Sequence, residues 1–165
     1  MDVFLMRHGF AEDVGGKIKT DFDRPLTGEG VKLMQAEARG LKRLDIRFNV
    51  IMCSPLVRAK QTAEAVAEVL GHKKVVVCDG LAIPASTAEL MQAFKPFQMD
   101  YSVLLVGHMP DVGRLAGFFT GVPRLAIPFK KGAICKIEVE RIHPSPSGEI
   151  RWFMTPRQLK FIGES

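Results

Sequence analysis

The sequence has few cysteines and none of the patterns that would join them or let them bind a metal. Cys53, Cys78 and Cys135 form no C-x-x-C pair, and their odd number argues against a disulfide framework. Cys53 and Cys78 each end a β-branched run, where a cysteine usually serves as a small buried hydrophobic residue. We therefore expect free thiols, and the reducing compartment that suits them is the cytoplasm.

Long apolar runs and blocks of like charge are also missing. Residues 1–7 contain an acidic residue and an apolar run that ends at Arg7, which predicts neither a signal peptide nor a membrane partner. Lysine and arginine never form a block longer than two, so nucleic acid is not an expected partner despite the net charge of +5. A charge excess spread this thinly suits a local anion site better.

The composition is that of an ordinary folded domain. With 165 residues, 47% hydrophobic and 25% charged, the chain is long enough for one sizeable core, and we expect a single domain over 1–165. Short apolar runs predict strands at 3–6, 48–53, 74–78, 102–106, 133–142 and 149–154. Helical patterns occupy 28–44, 55–70, 86–93 and 110–119.

Strand and helix alternate as far as residue 119, and this order predicts a three-layer α/β sandwich. Its central sheet would be mainly parallel, with buried strands and helices on both faces. Residues 143–148 are rich in turn formers, so the last two strands should form an antiparallel hairpin at the edge of the sheet. Ser54 is the expected N-cap of the second helix, with Pro55 as its first residue.

Arginine and histidine side chains follow three of the predicted strands. Arg7-His8-Gly9 follows the first strand, Ser54 and Arg58 follow the second, and His108 follows the fourth. Ligands of open α/β sheets bind beyond these strand ends, so the side chains should converge on one crevice. Two guanidinium groups in one crevice repel each other unless an anion lies between them, and a helix beginning at Ser54 would add a positive dipole end. Phosphate is the expected occupant.

A phosphate in this crevice gives the histidines a chemical role. A neutral imidazole is a nucleophile toward phosphorus, and nearby arginines help to keep it unprotonated. Arginines also neutralise the transferring phosphoryl group, as Mg²⁺ does in kinases. Because no carboxylate cluster with metal-ligand spacing accompanies these residues, we predict a reaction that needs neither a metal nor another cofactor.

Four segments in the expected order resemble the motifs of the histidine phosphatase superfamily, which has the phosphoglycerate mutase-like fold. They are Leu5–Gly9, Asp21–Gly30, Ser54–Ala63 and Val106–Pro110. The second segment, together with the short chain, is similar to the bacterial SixA-type phosphohistidine phosphatases. The resemblance covers residues 3 to 116.

The resemblance implies that His8 is a nucleophile that forms a phosphohistidine intermediate. Arg7, Arg58 and His108 would complete the phosphate pocket. Further candidates for substrate binding are Gly9, Ser54, Arg24 and Asp21. The implied substrate is phosphohistidine on a protein, for example on a histidine-containing phosphotransfer domain.

The general acid of the larger superfamily members has no evident counterpart. In those members a glutamate on an insertion protonates the leaving group, whereas the 23 residues that follow Cys78 contain one glutamate, Glu89, in a helical stretch typical of an exposed face. Hydrolysis of phosphohistidine has less need of an acid, because its leaving group is an imidazole. Asp21 and Asp23 are candidates for proton transfer, or they only orient Arg24 and its loop.

Two alternatives to a protein-phosphohistidine phosphatase remain. A small-molecule phosphomonoesterase of the same superfamily would need a functioning acid. A non-catalytic phosphate-binding module would not need a nucleophile, and the complete set of Arg7, His8, Arg58 and His108 argues against it.

Overall fold

The computed structural model describes residues 1–72, 74–125 and 127–164. These residues form six strands, five α-helices and one 3-10 turn. In chain order they are β1 (Asp2–Arg7), α1 (Gly28–Arg43), β2 (Val50–Cys53), α2 (Val57–Leu70), β3 (Val75–Val77), the 3-10 turn (Asp79–Leu81), α3 (Thr87–Phe94), β4 (Ser102–Gly107), α4 (Asp111–Thr120), β5 (Ile134–Arg141), β6 (Ser147–Met154) and α5 (Pro156–Glu164).

The strands form one mixed sheet in the order β3-β2-β4-β1-β5-β6. The first four strands of that order run parallel, and β5 and β6 continue the sheet in antiparallel pairings. The predicted α/β fold with a C-terminal antiparallel hairpin is therefore confirmed. Because β2, β4 and β1 are neighbours, the loops that follow their carboxyl ends meet at one edge of the sheet.

Alternate residues of the central strands supply two cores. Val3 and Leu5 of β1 belong to the core under α3 and α4, whereas Phe4 and Met6 belong to the core under α1, α2 and α5. A strand covered by helices on both faces needs apolar side chains at every position, which is why β1 is a continuous apolar run. Each such side chain contributes roughly 1.5–3 kcal/mol to folding.

The predicted beginning of α2 is wrong. The helix begins at Val57 with Leu56 as N-cap, so neither Ser54 nor Pro55 belongs to it. The Ser54 hydroxyl lies 2.8 Å from Nε2 of His108, so it is engaged with the end of β4 and does not cap the helix. The Val57 N–H donates to the Phe22 carbonyl at 3.1 Å, so this helix end is tied to a loop.

The expectation that residues 74–78 form a fully buried strand is also wrong. β3 has three residues, and Val76 and Val77 are exposed. The reason is its place at the edge of the sheet, where β2 is its one strand partner.

The sequence analysis missed α5. Its N-terminus is a capping box, because the Thr155 N–H donates to Oε1 of Gln158 at 2.8 Å and the Gln158 N–H donates to the Thr155 hydroxyl at 3.4 Å. Pro156 occupies the first helical position. The helix packs closely on α1, where a side chain at Gly40 would collide with the Leu159 carbonyl. A Thr-Pro-x-Gln pattern was thus available as a signal in the sequence.

The three cysteines are free, and the predicted burial of Cys53 and Cys78 is confirmed; Cys135 is buried as well. Burial raises the pKa of the Cys53 and Cys135 thiols to about 12. In the part of the chain that the structure describes, none of the helices is long and apolar enough to cross a membrane.

Glu37 on α1 is an isolated carboxyl group in the core. It is fully buried, and within the described residues neither of its carboxyl oxygens has a hydrogen-bond partner. Burial raises its pKa to about 9, so the group is protonated at neutral pH. Gly132 leaves room for it, since a Cβ there would lie 2.5 Å from Oε1.

Glu37→Gln should remove a loss of stability at alkaline pH. Above its ordinary pKa of 4.5 the carboxyl ionises in the unfolded chain but stays protonated in the folded protein up to about 9. The folded state then binds more protons, and its stability declines as pH rises through that window. Urea unfolding measures the free energy of unfolding at about pH 5 and about pH 8. The decrease between the two pH values should be smaller by roughly 1–3 kcal/mol in the variant than in the wild type. Equal losses in the two proteins would contradict a buried neutral Glu37.

Candidate active site

His8 lies directly after β1, and its ring is fixed in one tautomer. Nδ1 is 2.7 Å from the Gly9 carbonyl oxygen, which only accepts, so Nδ1 carries the proton and Nε2 presents a lone pair. The side chain is 6% exposed. Burial lowers the pKa of His8 to about 3, and the nearby charges of Arg58 and Arg7 act in the same direction, while the Gly9 bond opposes them. The imidazole is therefore neutral near pH 7.

Arg58, in the first turn of α2, faces this lone pair. Its Nε donates to Nε2 of His8 at 3.3 Å, and the residue is 4% exposed. The two Nη atoms donate to Asp21, one to the backbone carbonyl at 2.7 Å and the other to Oδ2 at 3.0 Å. Asp21 thus holds the far end of the guanidinium while the Nε edge is directed at His8.

Asp21 is itself held by Arg24. Nη1 of Arg24 donates to Oδ1 of Asp21 at 2.9 Å, and Nε of Arg24 donates to the Glu12 carbonyl. The hydrogen bond from Arg24 lowers the pKa of Asp21 most, partial burial opposes it, and the bond and charge of Arg58 lower the pKa further. Asp21 is consequently a carboxylate anion between two arginines, although its side chain is about half exposed.

His108 approaches His8 from the end of β4. The two ring centroids are 5.1 Å apart. Nε2 of His108 is 2.8 Å from the hydroxyl of Ser54, which also accepts the Leu56 N–H at 3.3 Å. Burial lowers the pKa of His108 to about 4, and the charge of Arg58 contributes. Ser54 therefore contacts a site histidine and does not cap α2 as predicted.

Two buried polar atoms of the site lack a partner among the described residues. They are Nδ1 of His108 and Nε of Arg7. The Arg7 side chain is anchored by Nη1, which donates to the Phe129 carbonyl at 2.8 Å, and burial lowers the pKa of its guanidinium. Buried polar atoms are nearly always hydrogen-bonded, so these two atoms indicate that the pocket binds a polar ligand.

Thr62 is a site residue that the sequence analysis missed. Its Oγ1 accepts the Gly9 N–H at 3.0 Å and donates to the Arg58 carbonyl at 2.7 Å, so it joins the loop after β1 to α2. The available signal is its place one turn after Arg58 on the buried face of the helix. A side chain at Gly9 would meet Met34 at 2.8 Å, which keeps this position small.

The structure brings most of the predicted site residues together and leaves a few outside. Gly9, Arg58 and His108 adjoin His8, and Arg7 precedes it in the chain. Behind them, Asp21 bonds to Arg58, the Ser54 hydroxyl lies against Nε2 of His108, and Arg24 bonds to Asp21. Asp23 lies outside and accepts the Thr20 hydroxyl at 2.6 Å, and Glu89 is exposed on α3. In the described ranges no three histidine, cysteine or acidic side chains gather as a metal site would require.

His8→Asn should reduce the acid sensitivity of the fold. Below its ordinary pKa of 6.5 the His8 imidazole takes up a proton in the unfolded chain but not in the folded protein, whose pKa is about 3. The unfolded state then binds more protons, and stability falls as pH decreases through that window. Urea unfolding in phosphate-free buffer measures the free energy of unfolding at about pH 6.5 and about pH 5. The decrease between these pH values should be smaller by roughly 1–2 kcal/mol in the variant than in the wild type.

The matched control is His143→Asn, at an exposed position between β5 and β6. It should keep the wild-type dependence on pH. If His8→Asn also keeps it, the His8 imidazole is not held neutral by the folded protein.

Known phosphatases resemble the chain over nearly its whole length. The sequence model of the histidine phosphatase superfamily (branch 1) matches residues 3–82. Phosphohistidine phosphatase SixA of Escherichia coli K12 is 30% identical over 164 residues, which are 97% of each protein. The solved structure of the protein histidine phosphatase SixA complexed with tungstate has a TM-score of 0.79 and 29% identity, over 96% of this chain and 99% of that one.

A more distant likeness is structural. Phosphoserine phosphatase from Entamoeba histolytica, solved with 3-phosphoglyceric acid, has a TM-score of 0.69 at 19% identity over 96% of this chain and 98% of that one. An identity this low supports a common fold alone. The full-length match to the Escherichia coli protein is closer, and the chain is a member of the histidine phosphatase superfamily, as its four sequence motifs predicted.

Proposed function

We propose that this phosphatase hydrolyses phosphohistidine on a protein through a covalent intermediate on His8. One observation carries the proposal: the His8 ring donates from Nδ1 to the Gly9 carbonyl and presents an unprotonated Nε2 beside Arg58, 3.3 Å from its Nε. A neutral imidazole with its reactive nitrogen next to a fixed cation is arranged as a nucleophile toward a phosphoryl group.

The reaction has two displacement steps. In the first, Nε2 of His8 attacks phosphorus, the P–N bond to the substrate breaks, and the leaving imidazole nitrogen keeps the electron pair and takes a proton from solvent. In the second, a water oxygen attacks the phosphorus on His8, the P–Nε2 bond breaks, and Nε2 recovers its lone pair. Phosphate leaves with the oxygen of that water, and the water proton goes to solvent.

Arg7, Arg58 and His108 supply the charge and hydrogen bonds for the phosphoryl oxygens. A phosphoryl group in the space at Nε2 would lie beside the Nε–H of Arg58, which already faces that nitrogen and would donate to a phosphoryl oxygen. Nε of Arg7 and Nδ1 of His108, both buried without a partner in the described residues, offer further bonds. The relative SixA was solved with tungstate, a tetrahedral oxyanion of the same kind as phosphate, and this supports an oxyanion in the pocket.

The same arginines allow the reaction to proceed without a metal. Arg7 and Arg58 are fixed cations next to the nucleophile, and such preorganised charge is what a divalent ion contributes in other phosphoryl transfers. No cofactor enters either displacement step.

The state of Asp21 favours phosphohistidine over a phosphate ester as substrate. An alkoxide leaving group needs a proton, but Asp21 is an anion bound to both Arg24 and Arg58 and has no proton to give near pH 7. Imidazole is a far better leaving group than an alkoxide. The name of the full-length relative, a phosphohistidine phosphatase, agrees with this choice.

Phosphate transfer to His8 should be detectable directly. Brief incubation with a histidine-containing phosphotransfer domain, phosphorylated with labelled phosphoramidate, should leave acid-labile label on the peptide that contains His8. His8→Ala should abolish both labelling and turnover while it keeps the wild-type unfolding midpoint. The assay contains EDTA, and activity that requires added Mg²⁺ would contradict the proposed pocket, as would label on serine or cysteine.

Asp21→Asn tests whether Asp21 orients Arg58 or donates a proton. We expect the wild type to hydrolyse phosphohistidine and aryl phosphates and to leave alkyl phosphates nearly untouched. Asn keeps one oxygen for Arg58 but loses the charge, so kcat should fall roughly tenfold for phosphohistidine and aryl phosphate alike. Rapid alkyl phosphate hydrolysis that the variant loses selectively would make Asp21 a general acid and favour the phosphomonoesterase alternative. Asp23→Asn, outside the pocket, is the control.

A further inference from the structure

Four large apolar side chains are exposed on the loops around the pocket. They are Phe10, Val14, Phe22 and Ile83, which are 48%, 53%, 48% and 48% exposed. We call these four residues the apolar rim. None of them belongs to either core or to the partly buried residues packed against the cores. Exposed apolar side chains that collect around a functional pocket are typical of an interaction surface.

Phe10 lies on the side of the pocket next to β1 and β5. It follows His8 by two residues, and its carbonyl accepts the Thr27 N–H at 2.9 Å, which fixes the backbone against the beginning of α1. Lys131, three residues before β5, holds its ammonium group 5.0 Å from the centre of the Phe10 ring. The cation rests on the ring face, so this side of the rim is both apolar and positively charged.

Phe22 lies on the opposite side, next to β2. It follows Asp21, the residue that holds Arg58, and its carbonyl accepts the Val57 N–H at the beginning of α2. Phe10 and Phe22 are therefore anchored by hydrogen bonds on either side of the His8 and Arg58 pair. The backbone of both residues is thus fixed near the entrance of the pocket.

Ile83 lies on a third side. The Ala85 N–H beside it donates to Oδ2 of Asp111 at 3.0 Å, and Asp111 begins α4 shortly after His108. Apolar side chains thus flank the pocket next to each of the three strands that supply its polar groups.

The charges on the rim are divided between its two sides. Lys130 and Lys131 precede β5 on the Phe10 side. On the loop of Val14, Arg24 is bound to Asp21 and also pairs with Asp13 at 3.4 Å. Lys130 and Lys131 are therefore cations available to a partner on the Phe10 side, and Lys17 and Lys19 are exposed on the loop of Val14. A complementary surface would present carboxylates to them.

We propose that the apolar rim docks the protein substrate. Phe10 and Phe22 pack on apolar side chains of that protein around its phosphohistidine, and Lys130 and Lys131 pair with acidic residues of the same protein. The proposal rests on the function proposed above and names the part of this chain that recognises the protein. The pocket binds the phosphoryl group, whereas the rim contacts the surface from which it projects. A free phosphorylated amino acid is too small to use both.

Two rim variants, the double variant F10S/F22S and Lys131→Glu, test the docking surface. The substrates are a histidine-containing phosphotransfer domain phosphorylated with phosphoramidate, free phosphohistidine and p-nitrophenyl phosphate. For the phosphorylated domain we expect kcat/KM to fall about tenfold, mainly through a higher KM. Truncation of an aromatic side chain at the centre of a protein interface weakens binding by about this much. For the two small substrates kcat/KM should stay within about twofold of the wild type.

Met99→Ser is the matched control, because Met99 is similarly exposed but precedes the amino end of β4, whereas the pocket lies at the carboxyl ends of the strands. It should leave all three substrates unaffected, and all variants should share the wild-type unfolding midpoint. Equal losses on the small substrates would make the rim part of the pocket and overturn the proposal. An unchanged KM for the phosphorylated domain would overturn docking alone, whereas a wild type inactive on both phosphohistidine substrates would overturn the proposed function as well.

Discussion

A buried guanidinium next to a neutral imidazole is the constraint on which the rest of the site depends. Arg58 and His8 are both nearly inaccessible to water, and a cation in such a place costs several kcal/mol unless other groups compensate it. Asp21 compensates in part, through two of its oxygens. Arg7 adds a second cation to the pocket. Protonation of either histidine would add a further positive charge, and a bound anion would be needed to balance it. The fixed charges of the pocket therefore favour an anion as its occupant.

The order of the strands makes this arrangement possible. His8 follows β1, Ser54 follows β2, and His108 follows β4, and these three strands are neighbours with their carboxyl ends at one edge. Hydrogen bonds then connect the loops across strands: Ser54 bonds His108, and Thr62 joins Gly9 to the Arg58 carbonyl. The cores beneath are continuous through the same strands, so the groups are held by elements that cannot shift without losing packing.

The sequence predicted the central sheet and the meeting of Arg7, His8, Arg58 and His108, because apolar runs in a parallel sheet place their carboxyl ends at a common edge. It did not predict contacts between side chains of different loops. Ser54 reads as a helix cap from local rules, yet the helix begins at Val57 and the Ser54 hydroxyl lies 2.8 Å from Nε2 of His108, a contact that no local rule predicts. The two arginines that bind Asp21 and lower its pKa are brought to it only by the folded chain.

The chain of Arg24, Asp21 and Arg58 shows how the site reconciles charge with orientation. A carboxylate next to the proposed phosphate pocket lowers the positive field that would attract the anion, which by itself is unfavourable. Arg24 restores that charge from the far side of Asp21, so the three side chains together still carry one positive charge. Asp21 meanwhile occupies the Nη end of Arg58 and leaves the Nε edge turned to His8. The arrangement keeps the field of one arginine and fixes its direction, and a cation that needs no reorientation is the kind that stabilises a phosphoryl transition state best.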